Sequence, residues 1–249
     1  MKQGTKGLLA AALVGVAAFA MPATSKAGQL TTTLDTLLPG GNQAGGITLG
    51  DKRYSNFTFA SSGDDAVLPR DVDVTLSNDA SGNQYTLRFA FDALGASPTE
   101  QTDVVICYQV DVLGNQLING VGLVFNSTVA GGNGDAAASV IETVSSIDPD
   151  GAGPLVAPPV VAGSPDSTVI IDVFNDGTGN LPDEPSTSLA VIPTRSLQFC
   201  KDILVSSRAG GGTVSISTVD NIVNQVPEPA SIGILAAAAG SLLLRRRRD

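Results

Sequence analysis

Tyr85-Thr-Leu-Arg-Phe-Ala-Phe-Asp92 alternates without a break: Tyr85, Leu87, Phe89 and Phe91 fall on one side, Thr86, Arg88 and Asp92 on the other. Alternation of period two puts one face of an extended strand on a core and the other in water. The pattern recurs around it. Asp71-Val-Asp-Val-Thr-Leu76 precedes it, and Val104, Ile106, Tyr108, Val110 and Val112 follow, then Leu117, Val121, Leu123 and Phe125. Further strands are read at 53–60, 138–147, 168–174, 196–207 and 213–223. Gly114-Asn115 has the residue types of a tight hairpin turn between the strands on either side of it.

Strand follows strand at a spacing of about ten residues, punctuated by Gly, Asn and Asp, and no helical period is found away from the chain ends. This predicts an all-β fold: a single antiparallel β-sandwich or jelly-roll-like domain, flanked by an N-terminal signal helix and a short C-terminal apolar helix. The proline-rich run 147–165 and the Asn-, Asp- and Gly-rich run 175–185 read as long surface loops. The expected organisation is a signal peptide at 1–27, a β body at 28–225 and a tail at 226–249.

Both ends carry their own signals. Lys2 and Lys6 precede an apolar run from Gly7 to Ala20. At about 1.5 Å per residue such a helix is about 21 Å long, short of the ~30 Å of hydrocarbon that a stable span crosses, so it reads as a cleaved secretion signal. Ser25 and Ala27 are the small residues required before a cut, which puts the cleavage between Ala27 and Gly28. At the other end come Val226-Pro-Glu-Pro-Ala-Ser231, an apolar run from Ile232 to Leu244, and then Arg245, Arg246, Arg247, Arg248 and Asp249. Pro227 and Pro229 lack backbone donors and fix φ, which favours an extended segment open to a protease. The apolar run suits a short transmembrane helix, and four arginines, each costing about 2.5–3.5 kcal/mol at mid-bilayer, form a membrane stop.

The combination of Pro227, Glu228 and Pro229, an apolar stretch and a basic end resembles the PEP-CTERM sorting tail of Gram-negative bacteria. The resemblance implies that signal peptidase removes the N-terminal segment and that an exosortase-like membrane protease recognises the tail. It implies transient anchoring in the inner membrane, then release to the cell surface or extracellular matrix, a biofilm setting included. Segments 50–59 and 196–205 also resemble parts of secreted PEP-CTERM proteins of uncharacterised function.

The chain has a formal charge of −10 with 24 acidic and 14 basic residues. Loss of the two ends removes half of the basic residues and almost none of the acids, so the body is more acidic still. Such a charge repels phosphate backbones and sets nucleic acid aside as a partner. Absence of histidine excludes Ser-His-Asp and Cys-His catalysis and His-ligated zinc. A two-carboxylate glycosidase stays open, since the sequence does not show which acids lie close together.

Loops around Asp148, Asp150, Asp176 and Asp183 are rich in oxygen ligands of the kind Ca2+ takes, though the Asp-Gly pairs in them are also what turns require. No catalytic residue and no cofactor is assigned. Cys107 and Cys200 each sit mid-strand on the less apolar face, and export makes a disulfide between them the expected state. With no Trp and only Tyr54, Tyr85 and Tyr108, all in strand patterns, an aromatic platform for sugars is thin. The expected function is that of a non-enzymatic structural or adhesive matrix component. A module that binds exopolysaccharide comes second, and a glycan-acting enzyme third.

Overall fold

The computed structural model describes residues 27–132, 135–146, 168–177 and 185–227. Residues 1–26 of the expected signal and those of the expected tail beyond Pro227 lie outside the described residues. Twelve strands follow in order: β1 (Gln29–Thr33), β2 (Ile47–Leu49), β3 (Lys52–Gly63), β4 (Val72–Asn78), β5 (Gln84–Ala96), β6 (Gln101–Val112), β7 (Gln116–Gly132), β8 (Ala136–Ser146), β9 (Thr168–Asn175), β10 (Ser186–Thr194), β11 (Ser196–Ser207) and β12 (Gly211–Pro227). A single helical turn, α1 (Leu34–Leu37), follows β1 and buries Leu34 and Leu37. Among the described residues no helix is long and apolar enough to cross a membrane.

Two six-stranded sheets result, sheet A in the order β1-β4-β5-β12-β7-β10 and sheet B in the order β2-β3-β6-β11-β8-β9. Every neighbouring pair is antiparallel. From β5 onward the chain passes from sheet to sheet, with only β8 and β9 consecutive in one sheet. The last two strands then return to the middle, β11 between β6 and β8, and β12 between β5 and β7. This is the winding of a jelly roll, widened on one side by β1 and β4 in sheet A and by β2 and β3 in sheet B.

The alternating residues decide which face closes on which. Leu87 and Phe89 of β5, Val104, Ile106, Tyr108 and Val110 of β6, and Val121 and Leu123 of β7 are all buried. So are Phe199 and Ile203 of β11 and Val219 and Val223 of β12. Each large apolar side chain so buried contributes about 1.5–3 kcal/mol. Tyr108 is the aromatic hub, with ring centroids 5.2 Å from Phe199, 5.5 Å from Phe57 and 5.8 Å from Phe89.

Several expectations are corrected. Gly114-Asn115 does not close a hairpin, because β6 and β7 lie in different sheets. Ile118, not Leu117, reaches the core at the start of β7. A register shift there pairs Asn224 with Gly120 but Gln225 with Ile118, and the extra residue reverses which parity points inward. Asp71 belongs to a 3-10 turn (Pro69–Asp71) rather than to β4. β1, β2 and β10 are additional to the strands that alternation marks; two are short, all three lie at sheet edges, and β10 carries Pro193, which an edge strand tolerates. Finally, β12 extends through Val226 and Pro227, the latter opposite Gln116, so the first two residues assigned to the tail end a central strand.

Candidate functional site

On the outer face of sheet A, cross-strand register sets residues in rows. Arg88, Asp220, Val124 and Ser186 form one row, Thr86, Ile222, Gly122 and Ser188 the next, and Gln84, Asn224, Gly120 and Ala190 the third. In the second row β7 contributes only Gly122, and a trough of about 420 Å³ opens there between β12 and β10. It is lined by Gln84, Gly122, Val124, Ser186, Thr187, Ser188, Ile222 and Asn224. A Cβ on Gly122 would lie 3.4 Å from both the Ile222 Cβ and the Thr187 carbonyl oxygen, so the backbone floor is open only because no side chain stands there. Glycine inside a strand weakens it by roughly 0.5–1 kcal/mol and marks places where something approaches the backbone closely.

Among the described residues the lining of the trough carries no charge, in a molecule with a large acidic excess. Gln84 donates through Nε2 to Asn224 Oδ1 at 3.2 Å, an exposed contact between two amides of the lining. At its margin the charges of Arg88 and Asp220 cancel in a two-pronged pair, Nε to Oδ1 and Nη2 to Oδ2 both at 2.7 Å. That bond raises the Arg88 pKa. At the other end of the same sheet a second hollow of about 330 Å³ is lined by Asp65 and Asp92 together with Ser215 and Ser217, and is acidic where the trough is neutral.

Two polar clusters are built into the interior. At the end of the sandwich where β3 starts and β12 finishes, the buried Lys52 ammonium meets Asp51 Oδ1 at 2.8 Å and donates to Gln225 Oε1. Tyr85 donates to the same Asp51 oxygen at 3.0 Å, and Gln225 Nε2 donates to the Gly82 carbonyl at 2.5 Å. Burial lowers the Lys52 pKa against the pull of Asp51. Burial first, and then the Asp51 charge, push the Tyr85 phenol up to about 12. Gly50, at φ +59, gives this ring its place, since a Cβ there would lie 2.3 Å from the Tyr85 hydroxyl.

In the middle of the sandwich Lys201 of β11 stands directly opposite Glu142 of β8, and the two form an ion pair with both side chains fully buried. Asn221 of β12 reaches across from sheet A, its Nδ2 donating to Glu142 Oε1 at 2.9 Å and to the Gly122 carbonyl at 3.0 Å. Burial lowers the Lys201 pKa strongly. The carbonyl that Asn221 holds from within belongs to the glycine that floors the trough outside.

Of the residues singled out from sequence, Cys107 and Cys200 are directly opposite on β6 and β11 and are joined by a disulfide, with Cα atoms 4.1 Å apart, on the outer face of sheet B. Gly28 is tied to β4: its N–H donates to Asn78 Oδ1 at 2.6 Å and its carbonyl accepts from the Asn78 N–H at 3.2 Å. Ala27, just before it, is exposed. Tyr54, Tyr85 and Tyr108 are all core residues, so none offers a ring to a surface ligand. Asp176 follows β9, and the described residues contain no group of three or more Asp, Glu, His or Cys able to hold a metal ion. Asp148, Asp150, Asp183, Glu228, Pro229 and Arg245 to Arg248 lie outside the described residues. The trough residues and both interior clusters escaped the sequence reading. The signal for the second cluster was there, in Lys201, Glu142 and Asn221 occupying the inward parity of their strands.

No protein-family model matches the chain, and no curated protein does. Among solved structures it is similar to the carbohydrate-binding module TmCBM61 in complex with β-1,4-galactotriose, at 12% identity and TM-score 0.28, over 68% of this chain and 88% of that one. It is also similar to the glycosylation-associated Gap123 complex of Streptococcus agalactiae, at 12% identity and TM-score 0.25, over 73% and 27% of the two chains. A third is the enzymatically active domain of bacteriophage CBA120 tailspike protein 4, at 12% identity and TM-score 0.25, over 69% and 20%. Likenesses of this size carry no inference about ligand or activity.

Proposed function

We propose that this chain is an exported, surface-sorted, non-enzymatic jelly-roll protein whose outer face on sheet A binds a neutral exopolysaccharide, as an adhesive component of an extracellular matrix. The observation that carries the reading is the uncharged trough. A neutral sugar chain presents hydroxyl groups that donate and accept, alternating with C–H surfaces. Gln84, Asn224, Ser186 and Ser188 meet the first, Ile222 and Val124 the second, and Gly122 leaves the floor between them without a side chain. A polyanion would be repelled by the acidic body, and the described residues that line the trough include no cation to offset that.

Export rests on the two terminal signals and on Gly28. Cleavage after Ala27 by signal peptidase converts the Gly28 nitrogen into an ammonium group, and Asn78 Oδ1 is already placed to accept from it. The exosortase-type tail would leave the protein where such a polymer is found, and β12 delivers Pro227 at its end, ahead of Glu228 and Pro229. A glycan array probed with the mature protein tests the reading. Binding is expected to concentrate on neutral polysaccharides and to be lost in Gly122→Val, which fills the trough from a backbone conformation open to any residue. Binding confined to anionic glycans, or unchanged in that variant, would remove the site.

A further inference from the structure

We infer that Lys201 and Asn221 are joined in the mature fold by an intramolecular isopeptide bond, formed by the protein itself with Glu142 as the proton carrier. The three side chains are fully buried, on β11, β12 and β8, and they meet through a single carboxylate. One oxygen of Glu142 contacts the Lys201 amine, and the other accepts from the Asn221 amide at 2.9 Å. Nucleophile and electrophile are therefore held on the two ends of the group that would move the proton between them. Both amide hydrogens of Asn221 go to acceptors, Glu142 Oε1 and the Gly122 carbonyl, which fixes the amide's orientation. Its Oδ1 is left buried without a partner.

A structural role alone accounts poorly for this trio. A buried Lys–Glu pair gains little or nothing over apolar side chains of similar size, because desolvation costs about as much as the attraction returns. Here the surroundings are apolar: Val140 and Val144 flank Glu142 on its strand face, Phe199 and Ile203 flank Lys201, and Val219 and Val223 flank Asn221. The Tyr108 ring lies 5.8 Å from the amine. Burial that lowers the Lys201 pKa favours the neutral amine, which is the nucleophilic form.

The step balances without any co-reactant. Lys201 passes its ammonium proton to Glu142, leaving a neutral amine and a carboxylic acid. The Nζ lone pair adds to Asn221 Cγ and forms the new C–N bond. Glu142 takes a proton from the attacking nitrogen and gives one to Nδ2. The Cγ–Nδ2 bond then breaks, ammonia leaves, and one amide replaces one amine and one primary amide. Residues 200 and 201 of β11 would thus each carry a cross-link, Cys200 outward to β6 within sheet B and Lys201 inward to β12 in sheet A. The bond forms regardless of what the trough binds.

Intact-mass spectrometry of the natively folded protein, with a tryptic map after reduction and alkylation, tests it. The expected mass is lower than the sequence requires by one ammonia, with a branched peptide joining Lys201 to Asn221 and no cleavage after Lys201. Glu142→Gln should restore the missing mass and the two linear peptides, while Asn221→Asp should give the same branched peptide with loss of water instead. Linear peptides carrying unmodified Lys201 and Asn221 from folded wild-type protein would overturn the proposal. An ammonia loss that maps to other residues would overturn it equally, and a cross-link that survives in Glu142→Gln would remove Glu142 from the chemistry.

Discussion

Replacing Cys107 and Cys200 together by alanine isolates one cross-link with little else disturbed. Both side chains are half-buried on the outer face of sheet B rather than packed in the core, so little apolar burial goes with them. The bond closes a loop spanning 93 positions. For a loop of that length the chain-entropy relation gives about 4–5 kcal/mol of stabilisation through restriction of the unfolded chain, an upper figure where the unfolded state stays partly compact. With a urea dependence of about 2–3 kcal/mol per M, the unfolding midpoint should fall by about 1.3–2.5 M. The slope should rise as well, because the variant's unfolded chain exposes more surface. Equilibrium urea unfolding followed by far-UV circular dichroism measures both. Reducing the wild type should reproduce the variant's curve. A midpoint shift below about 0.4 M with an unchanged slope would refute the argument, since the bond would then be restraining nothing that the paired strands had not already fixed.

The remaining predictions concern the charged and phenolic groups. Lys52→Met should cost about 1–3 kcal/mol in thermal or chemical unfolding, because Asp51 and the Gln225 Oε1 both lose the ammonium. The protein's three tyrosines are all buried, Tyr85 is pushed up to about 12 and burial raises Tyr54 and Tyr108 as well. Absorbance titration should therefore show no tyrosinate near pH 10 in the folded state. The native state then holds more protons than the unfolded one, so stability should fall as pH rises above the ordinary tyrosine value. Burial, and then the neighbouring Asp202 charge, raise the Asp103 pKa. A raised carboxyl pKa lowers stability above the ordinary aspartate range, so Asp103→Asn should stabilise the protein at neutral pH, and the gain should disappear as pH falls below that range.

Much of the architecture was legible in period-two alternation, because a strand between a core and water has to write its two faces into the sequence. The inward sets on β5 and β6 are the residues that the pattern marks. What alternation does not encode is which strand pairs with which. Gly114-Asn115 resembles a hairpin locally, yet the core is completed only when the chain crosses to the other sheet there. One bulge sufficed to exchange Leu117 for Ile118. Edge strands such as β10 are weakly patterned since only one side of them is paired. The trough was hidden for another reason: its floor is a missing side chain, at Gly122, and its lining comes from four strands whose adjacency appears only in the fold. By contrast Lys201, Glu142 and Asn221 were readable as polar residues at inward parity, with only their mutual contact left to the structure.

The central claim is that the uncharged trough of sheet A binds a neutral polysaccharide, and calorimetric titration of the mature protein with such a polymer, at low and at high salt, tests it most directly. Because no charged side chain among the described residues lines the trough, the affinity should be the same at both salt concentrations. It should fall by about tenfold or more, equivalent to about 1.4 kcal/mol or more, in Gly122→Val, and similarly in a variant with Gln84→Ala and Asn224→Ala combined. Cys107→Ala with Cys200→Ala, on the opposite sheet, should bind as the wild type does. Affinity that collapses with salt, or that survives in the filled trough while disappearing when sheet B is altered, would contradict the account.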